Sequence, residues 1–227
     1  PSEVIFVDSG STDNTVEIIN THIDLYNKSN YRVIYCGEMS PSSSLNRGIE
    51  ESSSELIAYI DCGLNIPPNW LFESLKVMEN YNCGIVSLQI KTNGTSLIDK
   101  SFVAQTYGLS SYTVCLPGSL IKKNLIERVG GFITNTRASY DIDFINKIKT
   151  NNIERVINKK TVINYFDVNY ADNLISGSKK VYSYSLNAWN AKGDLKPYIY
   201  LITLIIFLIS YIYDIHHYII IIYCVIR

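Results

Sequence analysis

Four apolar runs of strand length, Val4 to Val7, Arg32 to Cys36, Leu56 to Ile60 and Ile85 to Ile90, are separated by stretches whose apolar residues recur at helical spacing. A strand that passes through a helix before the next strand generally joins its successor in parallel. The alternation therefore predicts an α/β domain with a mostly parallel sheet flanked by helices on both faces. Val16, Ile19, Ile23 and Tyr26 fall on one face of a first helix, with Asn14 and Glu17 spaced as an N-cap and its capping partner. Leu45 and Ile49 mark a shorter second helix. Pro67 and Pro68 precede Trp70, Leu71, Leu75 and Met78, the pattern of a third helix opened by proline, with Trp70 packing it onto the sheet. Beyond these, Leu120, Leu125, Ile126 and Val129 predict a helix closed by Gly130 and Gly131. A helix is expected to start near Tyr140 and carry Phe144, Ile145 and Ile148. Thr161 to Phe166 reads as a late strand and Ser178 to Ala191 as a Tyr-rich helix.

The 227 residues suit one domain, assigned to residues 1–196, followed by an apolar tail, residues 197–227. Tyr198 to Tyr213 carries no charge, and Asp214, His216 and His217 interrupt before a second apolar stretch, Tyr218 to Ile226. Sixteen helical residues reach roughly 24 Å against a hydrocarbon core of roughly 30 Å, so the tail is expected to contact a membrane by crossing it or lying in its interface. Lys179, Lys180, Lys192 and Lys196 come before it, which favours a domain on the cytoplasmic face. The histidine pair has no third candidate ligand nearby and reads as a boundary or turn. A formal net charge of -1 with dispersed basic residues argues against nucleic acid as a partner. Five cysteines without C-x-x-C spacing, mostly in apolar stretches, read as free thiols rather than as a zinc site.

Two carboxylates end predicted strands: Asp8 follows Val4 to Val7, and Asp61 follows Leu56 to Ile60. In an open parallel sheet that rim is where ligands bind, because loops and helix N-termini converge there. After Asp8, Gly10 permits close backbone approach to a ligand, and Ser9, Ser11 and Thr12 supply hydroxyls. Taken alone, the D-S-G-S-T-D loop also suits a simple capping turn. A phosphatase of the haloacid dehalogenase type wants a second carboxylate at position 10, where glycine stands.

V-I-F-V-D-S-G-S-T-D-N-T, Val4 to Thr15, resembles the V-V-D-D-G-S-T-D-x-T loop of family 2 inverting glycosyltransferases, which have the GT-A fold. L-N-R-G-I-E, Leu45 to Glu50, is similar to that family's R-N-x-G-I segment, and E-L-I-A-Y-I-D-C-G with the following P-P-N-W-L to its D-x-D strand and subsequent helix. E-R-V-G-G-F, Glu127 to Phe132, and Y-D-I-D-F, Tyr140 to Phe144, resemble its acceptor-side G-G-F and E-D-x-D-L elements. The five occur in the family's order. The resemblance implies a GT-A domain whose usual first strand and helix are expected ahead of Pro1.

It further implies transfer of a sugar from a nucleotide-sugar donor to a saccharide acceptor with inversion, as in surface polysaccharide or glycan biosynthesis. The apolar tail suggests a lipid-linked acceptor. By position, Asp8, Ser9, Gly10, Ser11, Asn46 and Asp61 are the implied donor-binding residues, Asp61 the implied ligand of Mg²⁺ or Mn²⁺, and Asp141 the implied catalytic base. Asp143 faces away from the base. Four positions depart from the pattern: Ser9 replaces an aspartate, Leu45 an arginine, Gly63 the second D-x-D aspartate, and Tyr140 a glutamate. The alternative those departures leave open is a non-catalytic nucleotide-binding or scaffold protein derived from the same fold.

Overall fold

A computed structural model describes residues 1–92, 99, 100, 103, 113, 114, 116–165, 174–190, 202 and 205. Two sheets carry it. In the first, β1 (Val4–Asp8) pairs in parallel with β2 (Tyr31–Tyr35) through α1 (Thr15–Leu25). In the second, β3 (Leu56–Ala58), β4 (Ile85–Thr92), β5 (Thr113–Val114), β6 (Leu120–Lys122) and β7 (Arg155–Tyr165) assemble around β4. The long β4–β7 ladder is parallel and, with β1–β2, holds most of the paired residues, as the alternation predicts. The shorter pairings β3–β6, β4–β6 and β4–β5 are antiparallel. Thus β6 lies between β3 and β4. Leu120 to Lys122, expected at the start of a helix, instead forms this strand, because Leu120 and Ile121 each find a buried slot between two neighbouring strands.

The helices are α2 (Pro41–Glu51), α3 (Trp70–Asn80), α4 (Lys123–Arg128), α5 (Tyr140–Thr150) and α6 (Leu174–Asn190). Two caps differ from expectation. Asn14 occupies the N-cap of α1 without a side-chain bond, and the Asp13 carboxylate accepts from Thr15 N at 3.0 Å instead. The proline-opened helix is α2, with Pro41 in its first turn and Ser40 accepting from Ser43 N; at α3 the prolines precede the Asn69 cap. The glycine cap stands: α4 ends into Gly130 and Gly131 at φ 79° and 67°, whose N–H groups bond Glu127 O and Ile126 O. Among the described residues no helix is long and apolar enough to cross a membrane, and the tail from Tyr198 to Ile226, with Lys192 and Lys196, lies outside them apart from Ile202 and Ile205.

The core sits on both faces of β4. Ile85, Ile121, Ile126, Phe132, Phe144 and Ile148 form one buried cluster, with Ile49 of α2 and Leu116. Met78, Cys83, Val86 and Leu120 form another under α3. Trp70 packs beside Leu88, Ile90 and Ile163, as its position predicts. Phe144 is 1% exposed and stacks on Phe132 at a centroid distance of 4.4 Å. Replacing it with alanine leaves a cavity between α5 and the sheet. Phe144→Ala should cost about 3–5 kcal/mol in urea unfolding; a loss below about 1 kcal/mol would show that this cluster does not fix α5.

Candidate active site

At the end of β1, Asp8 turns back onto its own loop, accepting from Gly10 N at 3.2 Å and from Ser11 N at 3.2 and 3.3 Å. Bonding from Ser11, side chain and backbone, and from Gly10 holds the Asp8 carboxyl below the usual carboxylate range. Gly10 permits the turn at φ 87°, and a Cβ there would sit 3.3 Å from the Gly37 carbonyl. Ser9 and Ser11 are exposed, and Ser9 Oγ meets Ser44 Oγ of α2 at 2.6 Å.

Beyond β3, Tyr59 and Asp61 lead out toward the loop at Gly63. Tyr59 is fixed by its backbone, its N–H donating to Ser119 O and its carbonyl accepting from Gly118 N. Its hydroxyl donates to Asp61 Oδ1 and lies 3.2 Å from the Tyr140 hydroxyl at the start of α5. Asp141 is the next residue. Burial raises the Asp61 carboxyl above its ordinary value, and the charge of Asp141 adds to the rise while the Tyr59 bond opposes it. Asp141 is also raised by burial, against backbone hydrogen bonds at its helix N-terminus. Burial together with Asp61 pushes Tyr140 up to about 12 and moves Tyr59 further in the same direction, so both phenols stay protonated at neutral pH. The charge of Asp141 thus reaches Asp61.

Asn46 faces the G-G-F turn. Its Nδ2 donates to Phe132 O at 2.8 Å, and its Oδ1 accepts from Phe132 N at 3.0 Å. Along the same helix, Ser42 Oγ donates to Thr136 O, and Ser43 Oγ accepts from Asn135 N. On the other side α2 approaches β1 so closely that a Cβ on Gly48 would fall 2.9 Å from Val7 Cγ2. Thus α2 joins the Asp8 loop to the turn before α5. Asp143 turns away from Asp141 and pairs with Lys147 at 2.8 Å, whose Nζ donates to Gly131 O.

The structure brings Asp61 and Asp141 together and connects Asp8, Ser9, Gly10 and Ser11 to them through α2; Asn46 spends its amide on Phe132. Sequence reasoning missed Tyr59, whose apolar strand context conceals a hydroxyl aimed at Asp61. The Tyr184 phenol is near enough to raise Tyr140, while Tyr182 faces outward. A depression lined by Ser53, Leu56, Lys122 and Lys123 lies at the opposite end of β3 from Asp61.

Among the described residues no group of three or more His, Cys, Asp or Glu is placed to hold a metal. Gly63 contributes no ligand where D-x-D would place one. A single carboxylate completed by substrate phosphates and water is nevertheless a donor set that Mg²⁺ accepts, so Asp61 fits a cation shared with a bound diphosphate rather than a protein cage.

Raised carboxyls make the fold bind protons more tightly than the unfolded chain. Their stabilising share is complete below the unfolded pKa and is lost as pH rises through the raised folded values. Asp141→Asn should therefore melt at a higher temperature than the parent protein at pH 7, with the gain vanishing near about pH 3. An unchanged or lower Tm at pH 7 would contradict the burial of this charge.

Residues 1–148 match the family model described as Glycosyl transferase family 2. Over 76 residues the chain is 32% identical to "Uncharacterized glycosyltransferase YibD" of Escherichia coli (strain K12), covering 34% of this chain and 21% of YibD. The fold is similar to that of mannosyltransferase PcManGT from Pyrobaculum calidifontis, solved in complex with GDP-Man and Mn²⁺: TM-score 0.55, 19% identity, 72% of this chain and 48% of that one. It is also similar to S. aureus TarS 1-349, solved in complex with UDP-GlcNAc: TM-score 0.57, 17% identity, 82% of this chain and 56% of that one. The chain thus spans about half the length of these solved relatives and about a fifth of YibD. With the family model covering β1 through most of α5 and the GT-A architecture shared with these structures, the chain belongs to glycosyl transferase family 2.

Proposed function

We propose that this protein moves one sugar from a nucleotide-sugar donor to a saccharide acceptor by direct displacement, with inversion at the anomeric carbon. The observation that carries this reading is the part-buried cluster beyond the end of β3, where the Tyr59 hydroxyl on Asp61 meets the hydroxyl of Tyr140 beside Asp141 and the Asp141 charge acts on Asp61. In the displacement, the acceptor oxygen bonds the anomeric carbon as the carbon–oxygen bond to the diphosphate breaks, and the acceptor hydroxyl gives up its proton. Asp141 takes that proton. Burial raises its affinity for the proton, while the N-terminus of α5 supports its charged form beforehand.

On the donor side, the Asp8 carboxylate, pre-set by its own loop, faces the nucleoside, and the exposed Ser9 and Ser11 hydroxyls remain near it. Asp61 would hold Mg²⁺ or Mn²⁺, which when bound neutralises charge building on the leaving diphosphate. PcManGT carries GDP-Man and Mn²⁺ in its structure, and TarS carries UDP-GlcNAc; both support a nucleotide-sugar donor here. Asn46 acts on the donor site through the turn it clamps. The uncharged run in the tail supports a lipid-linked acceptor and a place on the cytoplasmic face of a membrane, in building surface polysaccharide or glycan.

Release of nucleoside diphosphate in the presence of donor and acceptor tests the reading. Asp141→Asn should lower kcat about 10²–10⁴-fold while calorimetry shows nucleoside diphosphate and metal still binding. Undiminished turnover removes Asp141 from the mechanism. Nucleotide binding without turnover in the parent protein favours the non-catalytic reading that Gly63 and Tyr140 motivate.

A further inference from the structure

Between the segment after β3 that carries Asp61 and the helix that carries Asp141, the pair of phenol hydroxyls at Tyr59 and Tyr140 makes a direct polar link. Since Tyr59 donates its proton to Asp61, its oxygen is left to accept from Tyr140. The order is therefore Tyr140 Oη–H to Tyr59 Oη–H to Asp61 Oδ1. Both rings are anchored away from their hydroxyls: Tyr59 through its backbone bonds to Gly118 and Ser119, and Tyr140 through edge contact with Phe132 at a centroid distance of 6.2 Å and an interplanar angle of 82°. Phe132 is held in turn by Asn46. Every member of this series is fixed by a neighbour.

We propose that Tyr59 and Tyr140 are positioning residues that latch the Asp61 carboxylate to the first turn of α5, fixing its orientation toward the donor diphosphate relative to Asp141. A phenol suits this place. It donates a hydrogen bond without adding charge beside two carboxylates that already repel, whereas an acidic side chain at position 140 would bring a third. The bond to a carboxylate is the strong member of the pair, and the neutral link between phenols is the weaker one. The Tyr140 hydroxyl thus acts on Asp61 only through Tyr59. The donor-side consequence rests on the transferase reading; the latch itself does not.

Two measurements on the protein separate them. In spectra of protein carrying ¹³Cζ-labelled tyrosine, without ligand, Tyr140→Phe should shift the Tyr59 resonance, and so should Asp61→Asn. A Tyr59 signal that ignores Tyr140→Phe overturns the latch whatever nucleotides do. In calorimetry with UDP or GDP and Mn²⁺, Tyr59→Phe should weaken binding about tenfold to a hundredfold and Tyr140→Phe by less. The double variant should be no weaker than Tyr59→Phe alone, with thermal melting of the singles close to the parent. Strictly additive losses, or lower melting with unchanged nucleotide affinity, contradict the positioning role. If the parent protein binds no nucleotide while the tyrosine shifts are present, the latch is supported and the transferase reading falls.

Discussion

The two hydrogen bonds between the Asn46 carboxamide and the Phe132 backbone are the constraint on which the rest of the site depends. A carboxamide is suited to the task because it offers a donor and an acceptor on one planar group, matching the N–H and C=O of a single residue. Leaving both backbone groups unpaired in this part-buried position would cost about 1–3 kcal/mol each. Gly131 makes the approach possible, since a Cβ there would stand 3.0 Å from Asn46 Oδ1. Once Phe132 is placed, its ring stacks on Phe144 and meets the edge of Tyr140, which sets where α5 begins and where Asp141 faces.

The same helix that carries Asn46 packs against β1 through Gly48 and bonds the Asp8 loop through Ser44. Consequently α2 spans the two sheets. Its serines are a working surface: Ser42 and Ser43 hold the Asn135–Thr136 segment, and Ser44 holds Ser9. At the other end of β1, Glu3 accepts from Ser52, Ser53 and Ser54 just before β3, and these bonds outweigh burial to bring its carboxyl down to about 2. The two strands thus start beside one another. Against this stiff frame the chain places two carboxylates in one part-buried cluster, a destabilising choice by desolvation alone. Such pairs of perturbed acids concentrate where chemistry is done.

Much of this was legible in the sequence, and the exceptions share a cause. Helix and strand periods located β1, β2, β4, α1, α2, α3 and α5 within a few residues, because each is long enough to show an apolar period of its own. Leu120 to Lys122 misled because a three-residue strand next to a six-residue helix gives no period of its own; only its place between β3 and β4 decides its state. Asp8 and Asp61 could be picked out by their positions after strands, and Asp141 by the resemblance of Y-D-I-D-F and the preceding G-G-F to family elements. Their partners could not. Tyr59 and Tyr140 are 81 residues apart, and Asn46 and Phe132 are 86 apart. Local pattern carries no information about contacts across such separations, so the bonds of the Asn46 amide to the Phe132 backbone could not be foreseen.

The central claim is that Asp61 and Asp141 occupy one part-buried site, and site-resolved titration of their carboxyl carbons by NMR tests it most directly. Both should titrate above the ordinary aspartate value, and substituting asparagine at position 141 should lower the Asp61 midpoint by removing the neighbouring charge. Two independent titrations in the ordinary range, with Asp61 indifferent to residue 141, would contradict the account.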